Sequence, residues 1–455
     1  MTPPTVVLFT RDLRVHDQPA LRAATDAGGS VVPLFVHDGA IADAAGAHRR
    51  RFLAEALSDL RDSLRKLGGD LVVRRGDPVD EALRVARATG AASIAVGDDA
   101  SAYAQRRLRR LERACERERI VLRVEDTVAA APVGEPAPAD RDHYRRFTPY
   151  WRRWRETPSP TVADPPSRVV LPPGLDVGTL PLENGTSGAP GPTLRGGESA
   201  GRRRLERWLR DGVHGYGAAR DLLAEDGTSR LSPYLHFGCV SAREAVERAR
   251  ACGPAADEFV RQLCWRDFFL QLLRANPATA SEDLRHRDVV WREDQEALAR
   301  WETGQTGVPV VDAAMRQLRR EGWLHNRGRL IVASFLTRTL GIDWRLGAEV
   351  FFDLLVDGDV ASNAGNWQWV AGTGADSRPN RAFNPLRQAK RFDPAGAYVR
   401  RYVPELGEVE NAFVHEPWRA PKARRPDGYP APVVDPAPPA RRPGRTKERR
   451  AASRA

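Results

Sequence analysis

Tryptophan is the residue type whose positions in this sequence most clearly suggest chemistry. Eleven tryptophans are present. Trp367 and Trp369 lie in the polar, glycine-rich segment NAGNWQW, and Trp265 directly precedes Arg266. Core filling is one explanation, because an indole carries a large apolar area. A polar context favours the other explanation, in which aromatic faces beside arginine and amide groups stack on a base or a flavin.

Two further segments could bind a polar ligand. Residues 227–232 (GTSRLS) place hydroxyl groups and an arginine at the start of an apolar helix. Such a helix start can bind phosphate, although serine and threonine are also ordinary helix caps. Asp357 and Asp359, within DGD, repel each other unless a ligand or an arginine lies between them. A magnesium site and a solvated loop are both open interpretations of this segment.

The elements that must position these residues differ between the two ends of the chain. Near the N-terminus, short β-branched apolar runs alternate with helical patterns such as residues 51–67, and the runs cover residues 5–10, 30–36, 70–74, 92–96 and 120–124. This alternation predicts an α/β domain over residues 1–128 with a doubly wound parallel sheet. Neither a GxGxxG fingerprint nor a GxxxxGK[ST] loop follows the first run, so a ligand here is bound by other means.

The remaining chain falls into three parts. Residues 129–197 are rich in proline and glycine and predict a long connector. Its segment 143–154 (HYRRFTPYWRRW) favours a short docking helix over a site for a polyanion. Residues 198–418 show helical patterns almost throughout and predict an all-α domain of ten or more helices. Residues 419–455 contain few large apolar groups and predict a disordered basic tail.

The net charge of +11 suggests a polyanionic partner, but its distribution weakens that argument. Residues 419–455 hold eleven basic and three acidic residues, so only about +3 belongs to residues 1–418. A nucleic-acid partner must therefore be argued from a site. No apolar stretch is long enough to span a membrane, and no secretion signal is visible. Four scattered cysteines favour a reducing compartment, and we expect a cytoplasmic protein.

Six segments together resemble the photolyase/cryptochrome family. They are RDLRVHD after the first strand, GTSRLSPYLHFG, RQLCWRDFF, TGVPVVDAAMRQLRREGWLHNRGRLIVASFL, IDW and DGDVASNAGNWQWVAGTG. They follow the family order over residues 5 to about 405, and the resemblance is greatest to bacterial photolyases that repair cyclobutane pyrimidine dimers. It implies an antenna-chromophore domain, a connector and a helical FAD-binding domain, in a monomer that acts on UV-damaged DNA.

The resemblance implies a set of FAD contacts in the helical domain. Arg266 should lie near the flavin cavity, Arg329 should pair with Asp357, and Asn363 should face flavin N5. The phosphates and neighbouring groups should contact Tyr216, Thr228, Ser229, Arg230, Leu231 and Ser232. The flavin and ribose side should be lined by Asp357, Gly358 and Asp359.

The resemblance also implies an electron-transfer wire and a substrate site. Trp367, Trp344 and Trp291 would carry electrons from the surface to photoreduce FAD. Light would excite reduced anionic FAD, which would pass an electron to a flipped-out dimer and receive it back after the ring splits. The dimer and its DNA should contact Gln262, Trp265, His325, Asn326, Arg327, Trp369 and Gln388.

Gln262 departs from the glutamate of well-known dimer photolyases and matches the (6-4) photolyase branch. That branch uses two histidines at positions that correspond here to Asn326 and Leu330, so (6-4) repair is the weaker alternative. A second alternative is a blue-light sensor that binds FAD and repairs nothing. Deleting residues 419–455 is expected to weaken binding to undamaged DNA.

The antenna pigment is the last expectation from the resemblance. Phe35, Arg49 and Asp99 match positions that hold 8-hydroxy-5-deazaflavin, and methenyltetrahydrofolate is the alternative pigment.

Overall fold

The N-terminal part of the computed structural model, which describes residues 2–181, 194–375 and 382–436, is built on a five-stranded parallel sheet. The strands are β1 (Thr5–Phe9), β2 (Val31–His37), β3 (Val72–Arg75), β4 (Ser93–Gly97) and β5 (Val121–Glu125), in the order β3-β2-β1-β4-β5. β1 is central, and its Val7 lies opposite Pro33 on one side and Ala95 on the other. The predicted doubly wound parallel sheet is confirmed.

Helices cover both faces of this sheet. They are α1 (Pro19–Asp26), α2 (Gly39–Ala42), α3 (Ala47–Lys66), α4 (Pro78–Thr89) and α5 (Ala102–Glu118). Val7 and Phe9 pack with α1 and α3, whereas Val6 and Leu8 pack with α4 and α5, because successive strand residues point to opposite faces. β5 departs from the expectation of strands buried on both faces, since it lies at the sheet edge with mostly exposed residues.

The segment 143–154 contributes to a docked helix, α6 (Phe147–Glu156), as the amphipathic pattern predicted. Phe147, Tyr150 and Trp154 are buried at helical spacing, and the intervening arginines face outward. Trp154 Nε1 donates to Asp267 Oδ2 at 3.1 Å, and Asp267 also accepts from the backbone N–H groups of Ala130 and Ala131. One buried carboxylate therefore fastens the connector to the helical domain.

The C-terminal part is helical, as predicted, and no strand occurs within residues 198–375 or 382–418. Its helices are α7 (Glu198–Arg207), α8 (Tyr216–Ala219), α9 (Ser232–His236), α10 (Ala242–Ala251), α11 (Asp257–Ala275), α12 (Gln295–Thr303), α13 (Pro309–Glu321), α14 (Asn326–Ser334), α15 (Trp344–Leu354), α16 (Val360–Ala371), α17 (Pro385–Phe392) and α18 (Ala397–Tyr402). Within the described ranges, none of these helices is long and apolar enough to cross a bilayer.

The prediction of a disordered tail from residue 419 is wrong for residues 419–436. Val433 N donates to Thr306 O at 2.9 Å, and Asn384 Nδ2 donates to Pro436 O at 3.2 Å. Tyr429 donates to the buried carboxylate of Asp312 at 2.5 Å. A few apolar and aromatic groups thus suffice to hold this strap (residues 429–436) against helices that are already folded. The predicted disorder of residues 437–455 lies outside the described residues.

Candidate functional site

A cavity of about 470 Å³ opens between the α8–α9 loop and helices α11, α14 and α16. Most of the residues that the sequence assigned to a cofactor or to a substrate line this one cavity. They are Tyr216, Thr228, Ser229, Arg230, Leu231, Ser232, Gln262, Trp265, Arg266, Asn326, Arg327, Arg329, Asp357, Asn363, Trp367 and Trp369. This volume lies within the usual range for small-molecule and cofactor pockets.

The loop that leads into α9 forms a polar cradle at one side of the cavity. Arg230 adopts a left-handed backbone conformation (φ 49°), and Ser229 O is held by Arg204 Nε at 2.6 Å. The Thr228 hydroxyl is buried and has no hydrogen-bond partner among the described residues. An orphaned hydroxyl in the loop just before a helix is what a bound phosphate would satisfy. The cradle therefore fits the diphosphate of a nucleotide cofactor.

Each of the two acids of the DGD segment pairs with a different arginine, and these pairs offset the repulsion between the acids without a metal. Arg329 Nη2 donates to both carboxylate oxygens of Asp357 at 3.0 and 2.8 Å, as expected from the resemblance. Arg11, at the end of β1, donates from Nη2 to Asp359 Oδ2 at 2.6 Å. In the described part of the chain, no three His, Cys, Asp or Glu side chains cluster as a metal site requires.

Asp359 and Gly358 are not among the described residues that line the cavity, and their expected place on the flavin and ribose side stays a prediction. Asp359 instead caps α16 by accepting from Ser362 N at 2.7 Å. Burial alone would raise the pKa of Asp359, but Arg11 and Arg266 outweigh it and hold that pKa well below its usual range. A permanently ionised cap thus joins the α/β domain to the helix that carries Asn363 and Trp367.

α16 presents one face to the cavity through residues three and four apart. Asn363 Nδ2 donates to Ala348 O at 2.8 Å, so its amide oxygen and its second N–H are available to a ligand. Trp367 is buried and meets Phe351 edge to face, with ring centroids 5.0 Å apart. A Cβ on Gly347 would lie 2.3 Å from the Trp367 ring, so this close approach of α15 and α16 requires glycine.

The other two tryptophans of the proposed wire lie farther from the cavity. Trp344, at the start of α15, is fully buried, and its Nε1 donates to Asp283 Oδ1 at 2.9 Å. Trp291 is half-buried at the surface of the same hydrophobic cluster. Trp367 and Trp344 are thus both buried, and of these three tryptophans Trp291 alone reaches the surface. Trp301, which the sequence reasoning missed, is also fully buried, 6.1 Å between centroids from Trp367.

Trp265, Gln262 and Trp369 line the part of the cavity that was assigned to a substrate. Trp369 packs on Phe383 with centroids 6.1 Å apart. Arg327 was expected to hold a DNA phosphate, but its Nη2 donates to Asp221 at 2.7 Å and its Nη1 to Gln388 at 3.3 Å. The Arg327 guanidinium is thus paired within the chain, and its contact with a DNA phosphate stays a prediction.

Several cavity residues were not found from the sequence. Asn366 lies one helical turn after Asn363, and that spacing alone could have revealed it. Arg220, Asp221 and Phe269 have no comparable signal, because each reaches the cavity through the packing of separate elements. His325 is buried behind the wall and accepts from Arg327 N at 3.0 Å, so it caps α14. Burial lowers the pKa of His325 to about 4, which keeps the ring neutral.

The three residues assigned to an antenna lie at the carboxyl end of the sheet and against the helical domain. Phe35 is buried near the end of β2. Arg49 lies over the Phe352 ring at 4.1 Å and donates to Ala44 O at 3.0 Å. Asp99 pairs with Arg11 at 3.3 Å. Arg49 and Asp99 are therefore engaged in contacts within the chain.

A parallel α/β domain joined to a helical domain with a phosphate cradle and an aromatic cavity defines a two-domain nucleotide-cofactor protein. A sequence profile described as DNA photolyase matches residues 5–168, and one described as the FAD binding domain of DNA photolyase matches residues 259–446. A relative from Streptomyces griseus named deoxyribodipyrimidine photo-lyase is 49% identical over 436 residues, covering 94% of this chain and 96% of the relative.

Two further comparisons agree with these matches. A relative from Natronomonas pharaonis named cryptochrome DASH is 38% identical over 466 residues, covering 94% of this chain and 98% of the relative. The crystal structure of a bacterial class III photolyase from Agrobacterium tumefaciens has a TM-score of 0.90 at 33% identity, covering 96% of this chain and 95% of that one. The chain belongs to the photolyase/cryptochrome family, and its helical domain is the FAD-binding domain of that family.

Proposed function

We propose that this protein repairs cyclobutane pyrimidine dimers in UV-damaged DNA by a light-dependent reaction, as a deoxyribodipyrimidine photo-lyase. One observation carries the proposal: a single cavity holds both the phosphate cradle at Thr228 and the aromatic pair Trp265 and Trp369. A cofactor and a flipped-out pyrimidine dimer can therefore lie against each other without an intervening protein layer. The names of the Streptomyces and Agrobacterium relatives support the same reaction.

The residues around the cradle would hold FAD. The Thr228 hydroxyl and the neighbouring backbone N–H groups would bind its diphosphate, and the neutralised Asp357–Arg329 pair would form a polar wall beside it. The amide oxygen of Asn363 can accept a hydrogen bond without adding a negative charge to the site. When bound in its reduced form, FAD supplies the light-excited electron that opens the cyclobutane ring.

The residues at the other end of the cavity would recognise the lesion. Trp265 and Trp369 offer indole faces for stacking, and Gln262 and Asn326 offer amide groups for hydrogen bonds to base edges. Gln262 both donates and accepts, so it can bind a thymine edge, but it has no carboxyl proton to give. A dimer pairs and stacks poorly in duplex DNA, and its lower extrusion cost contributes to selectivity.

The tryptophans of the wire would return the protein to its active state. We propose that Trp367, Trp344 and Trp291 pass electrons inward in turn when the cofactor is oxidised. The half-buried position of Trp291 supports its place as the outer member, because the outermost member must meet a reductant in solution. Repair by protein that is already reduced does not need the wire.

The test uses purified full-length protein, chemically reduced, with an oligonucleotide that contains one cyclobutane dimer. Blue light should convert the dimer to two pyrimidines over many turnovers, whereas an identical sample in the dark should keep it. A (6-4) photoproduct in the same assay should remain intact. If both lesions remain intact while the flavin is photoreduced normally, the result would contradict repair and support the sensor function. The similarity to a relative named cryptochrome DASH makes a sensor the second candidate function.

We further propose an antenna pigment and a cellular setting. 8-hydroxy-5-deazaflavin is our preferred pigment, with methenyltetrahydrofolate as the alternative, because Phe35, Arg49 and Asp99 resemble the positions that hold the deazaflavin in the family. Their location near the carboxyl ends of the strands, where ligands of parallel sheets bind, suits either pigment. The absorption spectrum of protein purified from its own source distinguishes the two. The protein would act as a monomer in the cytoplasm. Its four cysteines are unpaired and three are buried, which fits a reducing compartment.

A further inference from the structure

Four aromatic rings continue from the lesion end of the cavity into the connector helix α6. Trp265 stacks on Phe147 with centroids 3.6 Å apart and planes inclined by 6°. Phe147 is nearly parallel to Trp151 (6.4 Å, 13°), and Trp151 to Trp154 (5.7 Å, 24°). We call Trp265, Phe147, Trp151 and Trp154 the aromatic column. Its first ring lines the cavity, and the other three belong to α6.

The column leaves Trp265 little freedom. Phe147 covers one face of the indole, and the edge of Phe268 meets both rings, at 5.6 Å from Trp265 and 5.7 Å from Phe147. Phe147 is itself 6% exposed, and the guanidinium of Arg261 lies 5.6 Å from its centroid. Phe269, which lines the cavity, lies 5.5 Å from Trp265 between centroids and is tilted by 33°. The indole plane of Trp265 is therefore held chiefly by Phe147, which stacks on it from outside the cavity.

The base of the column is fixed as firmly as its first ring. Trp154 Nε1 donates to Asp267, which sits two residues after Trp265 on α11. Asp267 is 2% exposed and also accepts from Ala130 N and Ala131 N at 3.1 Å. Removing one donor would leave a buried carboxylate undersatisfied, so α6 cannot shift along α11 without penalty. The connector and the lesion end of the cavity move as one unit.

We propose that Phe147 is a positioning residue for lesion recognition: it presets the plane of Trp265, so that a flipped dimer stacks as the next ring of the aromatic column. This inference rests on the proposed function and assigns part of the substrate specificity to the connector. A ring held in its bound orientation loses no rotamer freedom when the ligand arrives, and this preorganisation increases affinity. Undamaged duplex DNA keeps its bases stacked in the double helix, so this preorganisation does not increase its affinity.

The experiment compares two variants of the same helix. Phe147→Leu removes the ring behind Trp265, and Tyr150→Leu removes an equally buried ring that meets Phe268 at 5.5 Å but makes no ring contact with Trp265. Fluorescence anisotropy in the dark gives the affinity of each FAD-loaded protein for an oligonucleotide with one cyclobutane dimer and for its undamaged counterpart. FAD content, from visible absorption, reports whether the fold is retained.

Phe147→Leu should lower the ratio of damaged-DNA affinity to undamaged-DNA affinity about tenfold. This factor lies near the lower end of the range of affinity losses found when one base–aromatic stack is removed. Tyr150→Leu should leave the ratio unchanged, and Phe147→Tyr, which keeps the ring, should restore it. Trp151→Leu, which changes a half-buried ring one step farther out, should give a smaller loss in the same direction.

Three results would overturn the inference. They are an unchanged ratio in Phe147→Leu, equal losses in Phe147→Leu and Tyr150→Leu, and a ratio in Phe147→Tyr as low as in Phe147→Leu. Each leaves the proposed repair reaction intact, because the wild-type protein would still distinguish the dimer. A wild-type protein that binds both oligonucleotides equally would instead contradict the proposed function itself.

Discussion

Two opposite charges next to Trp344 allow a direct test of the proposed wire. The carboxylate of Asp283 accepts a 2.9 Å hydrogen bond from the indole Nε1, and the guanidinium of Arg345 lies 4.8 Å from the ring centroid. A wire residue must carry a positive charge for a short time. The carboxylate stabilises that charge and the guanidinium destabilises it, so removing each one should have an opposite effect.

The size of the effect follows from Coulomb's law. Two unit charges 4.8 Å apart at an effective dielectric constant near 20 interact by roughly 3.5 kcal/mol. The Arg345 side chain is 37% exposed, so solvent screening reduces this value, and we take about half of it. A change of ~1.5 kcal/mol alters the population of oxidised Trp344 about tenfold. Asp283 is 12% exposed and is screened less, so its effect should be at least as large.

The assay is transient absorption after a laser flash on oxidised, FAD-loaded protein, which resolves charge transfer from Trp367 to Trp344. Asp283→Asn should lower the ratio of oxidised Trp344 to oxidised Trp367 about tenfold, and Arg345→Met should raise that ratio by a comparable factor. Asp288→Asn, which removes the same charge from a fully exposed position in the same segment, should have no effect. Equal signs for Asp283→Asn and Arg345→Met would refute the reasoning, because a general loosening of the site, unlike an electrostatic effect, acts in one direction.

Further predictions concern the wire, the strap, the basic tail and one histidine. Trp367→Phe should abolish photoreduction but leave repair by chemically reduced protein unchanged, and photoreduction at the normal rate would remove Trp367 from the wire. Tyr429→Phe should lower the free energy of unfolding by about 1–2 kcal/mol in a denaturant titration, because buried Asp312 loses a hydrogen-bond donor. An unchanged midpoint of the unfolding curve would show that the strap does not stabilise the fold. Deleting residues 437–455 should weaken binding to undamaged DNA at low salt without changing the preference for dimers, since this segment holds seven basic residues and one acidic residue. Unchanged binding to undamaged DNA would exclude this segment as a DNA contact. Burial lowers the pKa of His325 from 6.5 to about 4. Between these values the unfolded chain binds a proton that the folded chain does not, so the free energy of unfolding should fall by up to ~1.4 kcal/mol for each unit of decreasing pH, and His325→Asn should flatten that slope.

The sequence predicted the sheet and the helical domain because both have a local signal. β-branched runs separated by amphipathic helices give a parallel sheet wherever they occur, and leucines three or four apart mark the buried side of α3. The exposure of β5 could not be read in the same way. The predicted run 120–124 is apolar apart from Arg123, so it resembles a buried strand, and only the order of strands places it at the edge.

The residues of the candidate site were found by motif, whereas their partners were not. Arg11 and Asp359 are 348 residues apart in the sequence, and nothing local indicates that they form an ion pair. The same holds for Phe147 behind Trp265 and for Asp221 beside Arg327. Such pairs depend on how separate elements pack, which the spacing of residues along one element does not encode.

The strap shows a different cause of error. A composition of proline, arginine and alanine predicts disorder when a segment must bury its own surface. Tyr429 and Val433 instead pack on a helical surface that is already formed, and they need only a few contacts to do so.

The central claim is that one cavity holds the cofactor against a flipped lesion, and a crystal structure of the FAD-loaded protein bound to a dimer-containing duplex tests it most directly. We predict density for the FAD diphosphate at Thr228 and for an extrahelical dimer between Trp265 and Trp369. Flavin density at another place in the chain, or a dimer that remains stacked in the duplex while bound, would contradict the account.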